Sequence, residues 1–294
     1  MKKKAVSLTA VVLVMIVLFF AKKYYFDNQV SYIAPRQVRY SFTLKNTTNQ
    51  IISDIGFFVY APVKQTAFQL VNKIESSHPY ELIVDNLDNQ ILSFSFKELG
   101  PYATQIVNIS TNLSLSSQPN KIFQKINTDD FLKPETYVES DHPEIVEKAK
   151  SFKTKNSIQT AKAIQSWVFN HIKYSGYVQN EQGAYYAFKH KAGDCTEYMD
   201  LFTALCRAKN IPCKRIGGYV TDVNSVLKPS DYHNWVEFFD GKKWNIADPQ
   251  KNKFMEKSEN YIATRIISSS INNIMQNHDK FKINGDGVKV TMNL

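Results

Sequence analysis

Apolar and polar positions alternate from Val38 to Lys45. Val38, Tyr40, Phe42 and Leu44 share one face, and Arg39, Ser41, Thr43 and Lys45 the other. A period of two predicts a half-buried strand, ended by the turn-forming run Asn46-Thr47-Thr48-Asn49. The alternation returns at Leu92, Phe94 and Phe96 behind a turn at Asp88-Asn89, and again at Val107, Ile109, Leu113 and Leu115. Apolar stretches at 51–63 and 80–84 predict further strands. Short strands with turn signals between them, and no helical period, predict a β-sandwich over residues 36–115. The polar stretch 116–139 reads as a linker to a second domain over 140–294.

There the period changes. Ile158, Ala161, Ile164, Trp167, Val168 and Ile172 recur at helical spacing, which predicts an amphipathic helix from Ser157 to Ile172. A second apolar stripe, Tyr198, Leu201, Phe202, Leu205 and Ala208, predicts another helix stopped by Asn210 and Pro212. Asp194 with Glu197 three residues later matches a capping box, so Cys195 takes the first helical position. Free N–H groups and the helix dipole at that position favour a thiolate, and the Asp194 carboxylate opposes it.

A hairpin follows. His233-Asn234-Trp235-Val236-Glu237-Phe238-Phe239 leads through Asp240-Gly241 to a return strand ending at Asp248-Pro249. A two-residue turn at Asp240-Gly241 would set Phe239 opposite Lys242 and His233 opposite Asp248. A four-residue loop would leave the pair diagonal on the same face, and an unbulged three-residue loop would part them. Trp235 and Glu237 would share the face of His233. A thiolate at a helix start needs an imidazole within reach, and the imidazole needs a carboxylate to set its tautomer. Cys195, His233 and Asp248 are therefore the candidate catalytic set.

The N-terminus predicts a membrane anchor. Lys2-Lys3-Lys4 precede an apolar run from Ala5 to Ala21, broken only by Ser7 and Thr9, and Lys22-Lys23 close it. At about 1.5 Å rise per residue the run covers roughly 25 Å, the short end of a bilayer span. No small-x-small cleavage signal stands before Lys22, so residues 1–35 read as an uncleaved signal-anchor and stalk. The lysine excess before the run places the N-terminus in the cytoplasm and the remainder outside, periplasmic or extracellular.

The 294 residues are 43% hydrophobic and 13% aromatic, enough to fill a core in each domain without disulfides. Net charge is +9, distributed as +4 over 1–35, 0 over 36–115, −1 over 116–139 and +6 over 140–294. The basic excess of the C-terminal part is scattered, which argues for a solvated face and against a nucleic-acid partner. Three cysteines make no disulfide framework. Cys206 and Cys213 read as core thiols, with a disulfide between them as the alternative. No zinc or calcium pattern is present, so no metal or cofactor is expected.

The stretches Gly193-Asp194-Cys195-Thr196-Glu197-Tyr198, Asn210-Ile211-Pro212-Cys213, Gly217-Gly218-Tyr219-Val220, His233-Asn234-Trp235 and Asp248-Pro249 together resemble the bacterial transglutaminase-like domain, over roughly 140–255. The resemblance implies an α+β, papain-like fold, with a Cys-bearing helix packed on an antiparallel sheet that carries His and Asp. It gives Cys195 the nucleophile role, His233 the base and Asp248 the orienting acid. It also implies a thioester-forming acyl transfer on an amide, either transamidation or hydrolysis, with a protein or peptide as substrate. The Cys195 N–H is one oxyanion donor; Tyr174, Tyr177 and Gln179 are candidates for the second. The competing expectation is a catalytically silent envelope module that binds a partner.

Overall fold

The computed structural model describes residues 12–19, 31–122, 127–177, 180–269, 273–275 and 280–294. The alternating segments form β1 (Ala34–Asn46), β2 (Ile52–Ala61), β3 (Gln69–Ser76), β4 (Glu81–Val84), β5 (Gln90–Leu99) and β6 (Thr104–Leu115). β6 pairs antiparallel with β1 on one side and β3 on the other, while β5 joins β2 to β4 in a second sheet. The face of Val38, Tyr40, Phe42 and Leu44 is buried as the period predicts. Phe42 packs edge-on to Phe57 at 5.3 Å between ring centroids, and Phe57 stacks on Phe94 at 5.8 Å.

Among the described residues the second half supplies four α-helices: α1 (Pro143–Lys150), α2 (Ser157–His171), α3 (Ala184–His190) and α4 (Cys195–Ala208). It also supplies β7 (Lys173–Tyr174), β8 (Ala192–Gly193), β9 (Cys213–Val220), β10 (Ser225–Val226), β11 (Tyr232–Phe239), β12 (Trp244–Asp248), β13 (Lys253–Phe254) and β14 (Tyr261–Ile267). Five of these strands form an antiparallel sheet in the order β13-β12-β11-β9-β14. The central strands β9 and β11 are buried along most of their length. Cys213, Val236, Phe238 and Ala247 pack with α4. On the opposite face Ile216, Trp235 and Ile246 pack with Val63, Phe68 and Phe131. The fold is thus mixed α/β with antiparallel sheets, a helix layer on one side and β structure on the other.

Two expectations change, and a third falls largely outside the described residues. The segment 116–139 connects the halves but is packed, because Phe131 and Val138 enter cores and Glu135 enters an ion-pair cluster. The expected C-terminal domain ran to Leu294, yet β15 (Phe281–Asn284) and β16 (Val288–Met292) pair with β2 and β1. They do so because Phe281, Val288 and Met292 cover apolar surface of the sandwich that its own strands leave open. Tyr32–Leu294 accordingly forms one compact unit. Finally, residues 12–19 are helical and exposed, while the ends of the expected span Ala5–Ala21 lie outside the described residues. Among the described residues no helix is long and apolar enough to cross a membrane.

A chain ending before Phe281 loses the Phe281 contacts with Phe42 and Phe57 and the burial of Val288 and Met292. At about 1.5–3 kcal/mol per large side chain, the loss is on the order of 5 kcal/mol. Thermal melting by circular dichroism is expected to show the sandwich unfolded or strongly destabilised. A melting curve like that of the intact chain would contradict the assignment.

Candidate active site

The position of Cys195 is set by local hydrogen bonds. The Asp194 side chain accepts from the Thr196 N–H at 2.7 Å and from the backbone N–H of Glu197, and Glu197 Oε2 accepts from the Asp194 N–H at 2.8 Å, so both halves of the predicted capping box are present. Cys195 is the first residue of α4, as expected. A Cβ on Gly193 would collide with the Glu197 side chain, so only glycine lets the box close at this point. Glu197 Oε1 also accepts from the Gln182 N–H at 3.0 Å, which draws the upstream loop onto the first turn.

The hairpin register differs from the two-residue turn. Phe239 pairs with Trp244 and Val236 with Ala247, so the loop holds four residues, Asp240 to Lys243. The cause is Asp240: its Oδ1 accepts from the N–H groups of Lys242 and Lys243 at 2.7 and 2.8 Å, and its Oδ2 from Asn245 at 3.0 Å. Gly241 takes the left-handed conformation, φ +97°, that the wider turn requires. His233 and Asp248 are therefore diagonal on one face, the arrangement of the four-residue alternative. They still meet: His233 Nε2 lies 2.7 Å from Asp248 Oδ2.

Asp248 is fully buried and accepts two further hydrogen bonds, from the Lys251 N–H at 3.0 Å and the Tyr261 hydroxyl at 2.9 Å. Burial alone would raise its pKa, but the hydrogen bond and charge of His233, with the other two donors, hold it below the ordinary carboxylate range. Asp248 is therefore the ionised partner that fixes the imidazole, leaving Nδ1 for proton transfer. Tyr261 escaped the sequence reading because it lies on β14, a strand that no alternation had predicted.

A hydrogen bond ties the start of α4 to this pair: Asn234 Nδ2 donates to Thr196 Oγ1 at 2.9 Å. The residue after the imidazole is thus fastened to the residue after the nucleophile. The expected thiolate preference is not what the site provides. Burial, then the Asp194 carboxylate, push the Cys195 thiol up to about 11, against the Asn234 and Thr196 hydrogen bonds. A neutral thiol must lose its proton to a base as it attacks.

Cys206 and Cys213 are buried free thiols, as the core reading expected. Among the oxyanion candidates, Tyr174 and Tyr177 are 61% and 83% exposed, and Gln179 lies outside the described residues. Tyr174 pairs with Gly193 through the short β7–β8 ladder, so this strand runs beside the nucleophile loop. No group of acidic, histidine or cysteine side chains suited to a metal ion occurs among the described residues.

A model of the transglutaminase-like superfamily matches residues 144–249, a span that takes in Cys195, His233 and Asp248. Residues 144–249 are a transglutaminase-like domain. A solved protein from Cytophaga hutchinsonii, named as a candidate cysteine protease, shares the fold with a TM-score of 0.58 at 18% identity, over 88% of this chain and 92% of its own. The periplasmic domain of TgpA from Pseudomonas aeruginosa aligns at 13% identity and a TM-score of 0.39, over 72% of this chain and 88% of that one. No curated protein matches the sequence.

Without the imidazole, the thiol is left to its own ionisation. In His233→Ala, alkylation of Cys195 by iodoacetamide is expected to be slow at neutral pH and to climb about tenfold per pH unit toward pH 11. A variant profile as fast and as flat as that of the wild type would show that the thiolate forms without His233.

Proposed function

We propose that the chain is a thiol-dependent acyltransferase acting on amide bonds of protein or peptide substrates through a Cys195 thioester. The observation that carries this reading is the 2.7 Å hydrogen bond between His233 Nε2 and Asp248, beside a cysteine held at the start of a helix. His233 Nδ1 takes the thiol proton as the sulfur attacks the carboxamide carbon. The oxyanion that forms meets the free backbone N–H of Cys195, which has no partner within the helix. The imidazolium then protonates the leaving amine, the carbon–nitrogen bond breaks, and the thioester remains. Asp248 stabilises the imidazolium without taking its proton. An amine or water resolves the thioester, giving transamidation or hydrolysis respectively.

The proposal includes the location. The apolar run Ala5–Ala21, with its flanking lysines, would anchor the chain in a membrane with residues after 24 on the extracytoplasmic side. A reporter fused after Leu294 is expected to be active only when it needs export; activity only in the cytoplasm would refute that orientation.

Reaction type is read by mass spectrometry of the protein incubated with glutamine-bearing peptides and an isotopically labelled amine. Incorporation of the amine marks transamidation, and deamidation or peptide cleavage marks hydrolysis. Either is expected to vanish in Cys195→Ala and to fall by about 10²-fold or more in Asp248→Asn, where the imidazole loses its anion. Equal turnover by Cys195→Ala and wild type would sink the proposal.

A further inference from the structure

A buried charge cluster lies behind the nucleophile helix. Arg215, on β9, has a side chain 1% exposed and reaches three carboxyl groups. Its Nη1 donates to Glu181 Oε1 at 2.6 Å and to Asp200 Oδ1 at 3.1 Å, and its Nη2 to Glu135 Oε2 at 3.1 Å. Arg207, on α4, holds Glu135 Oε1 at 2.7 Å and donates to the carbonyls of Lys133 and Cys213. Ser269 completes Glu135 through its N–H and hydroxyl. Among the described residues, two guanidinium groups thus face three carboxyls.

Full ionisation would leave an excess negative charge in a place where only Glu181 is open to water, at 27% exposure. Asp200 resolves this. Its Oδ2 is buried and receives no N–H or hydroxyl from a neighbour, and its Oδ1 shares Arg215 Nη1 with Glu181. Two carboxyls crowded onto one guanidinium nitrogen favour keeping a proton on the more buried of them. Burial raises the Asp200 pKa well above the ordinary range; Arg215 opposes the shift and Glu181 adds to it. The cluster is then balanced, two positive charges against two negative.

The geometry connects this cluster to the site. Glu181 and Asp200 share Arg215 Nη1, and the neighbouring Gln182 N–H is held by Glu197. Glu197 and Asp200 lie on α4, two and five residues past Cys195. We propose that Glu181 is a positioning residue for acyl transfer, holding the segment 180–183 against the first turns of the nucleophile helix through the Asp200 carboxyl and the Arg215 guanidinium. This rests on Cys195 being the nucleophile. Glu181 touches no reacting atom; it acts by keeping one wall of the site in register with the sulfur.

The test compares Glu181→Ala and Glu181→Gln in the full chain. Alanine leaves Arg207 and Arg215 facing Glu135 and Asp200, so Asp200 ionises and the fold stays balanced. Hydrogen exchange at the Gln182 amide is expected to rise at least about tenfold in the alanine variant, as the segment loosens. The infrared C=O stretch of a buried protonated carboxyl, present in wild type, is expected to disappear. In the amine-incorporation assay kcat should fall about tenfold while KM moves less than about threefold, the signature of lost alignment. Glutamine, whose amide can accept from Arg215 and donate to Asp200, should restore slow exchange and most of kcat. Unchanged Gln182 exchange in Glu181→Ala, a persisting carboxyl band, or a glutamine variant as impaired as alanine would each overturn the proposal. Exchange and infrared readouts need no substrate, so a failure of the acyl-transfer reading, seen as no turnover by wild type, is told apart from a failure of the tether.

Discussion

The reciprocal hydrogen bonds between Asp194 and Glu197 decide where α4 begins, and the geometry of the site is measured from that point. A helix that started one residue later would make Cys195 the cap residue, with non-helical backbone angles, and its N–H would no longer point along the helix with the donors of the first turn. The same Glu197 side chain excludes any side chain at residue 193 and takes the Gln182 N–H. One carboxylate therefore sets the helix start, the approach of the preceding strand and the seat of the upstream loop. Asn234 then fastens β11 to this fixed turn through Thr196, and His233 comes into place because it precedes Asn234.

Electrostatically the site keeps its two functions apart. The charge sits on Asp248, where three hydrogen bonds outweigh burial, and the thiol stays neutral because burial and Asp194 outweigh its own donors. A preformed ion pair is not needed to explain reactivity: an imidazole oriented by an ionised carboxylate can remove the proton during attack. Tyr261 shares Asp248 Oδ2 with His233, so the carboxylate is fixed from two sides and the imidazole inherits its orientation.

The sandwich does more than precede the transglutaminase-like half. The sheet that carries His233 and Asp248 is buried on both faces, by α4 on one and by Val63, Phe68 and Phe131 on the other. β10, from the connection between β9 and β11, adds a parallel pair to β1. The last two strands also return to the sandwich. Removing the sandwich would expose Trp235 and Ile246, next to His233 and Asp248.

Local pattern alone determined much of this protein. Alternation located β1, β5 and β6, and helical spacing located α2 to within a residue of its end. Asp194 and Glu197 announced the cap that makes Cys195 the first helical residue, and the hairpin placed His233 and Asp248 on one face. These features depend on neighbours a few residues apart, so their physics is written in the sequence. The tertiary structure decided the rest. The Asp240 side chain widened the turn and moved the register by two, which Asp-Gly alone does not reveal. Tyr261, Arg215 and the homing of β15 and β16 involve partners far along the chain, and no period encodes them. The acidity of Cys195 was also decided there, because desolvation depends on what packs around the sulfur, whereas the helix-start argument counts only the groups on its own turn.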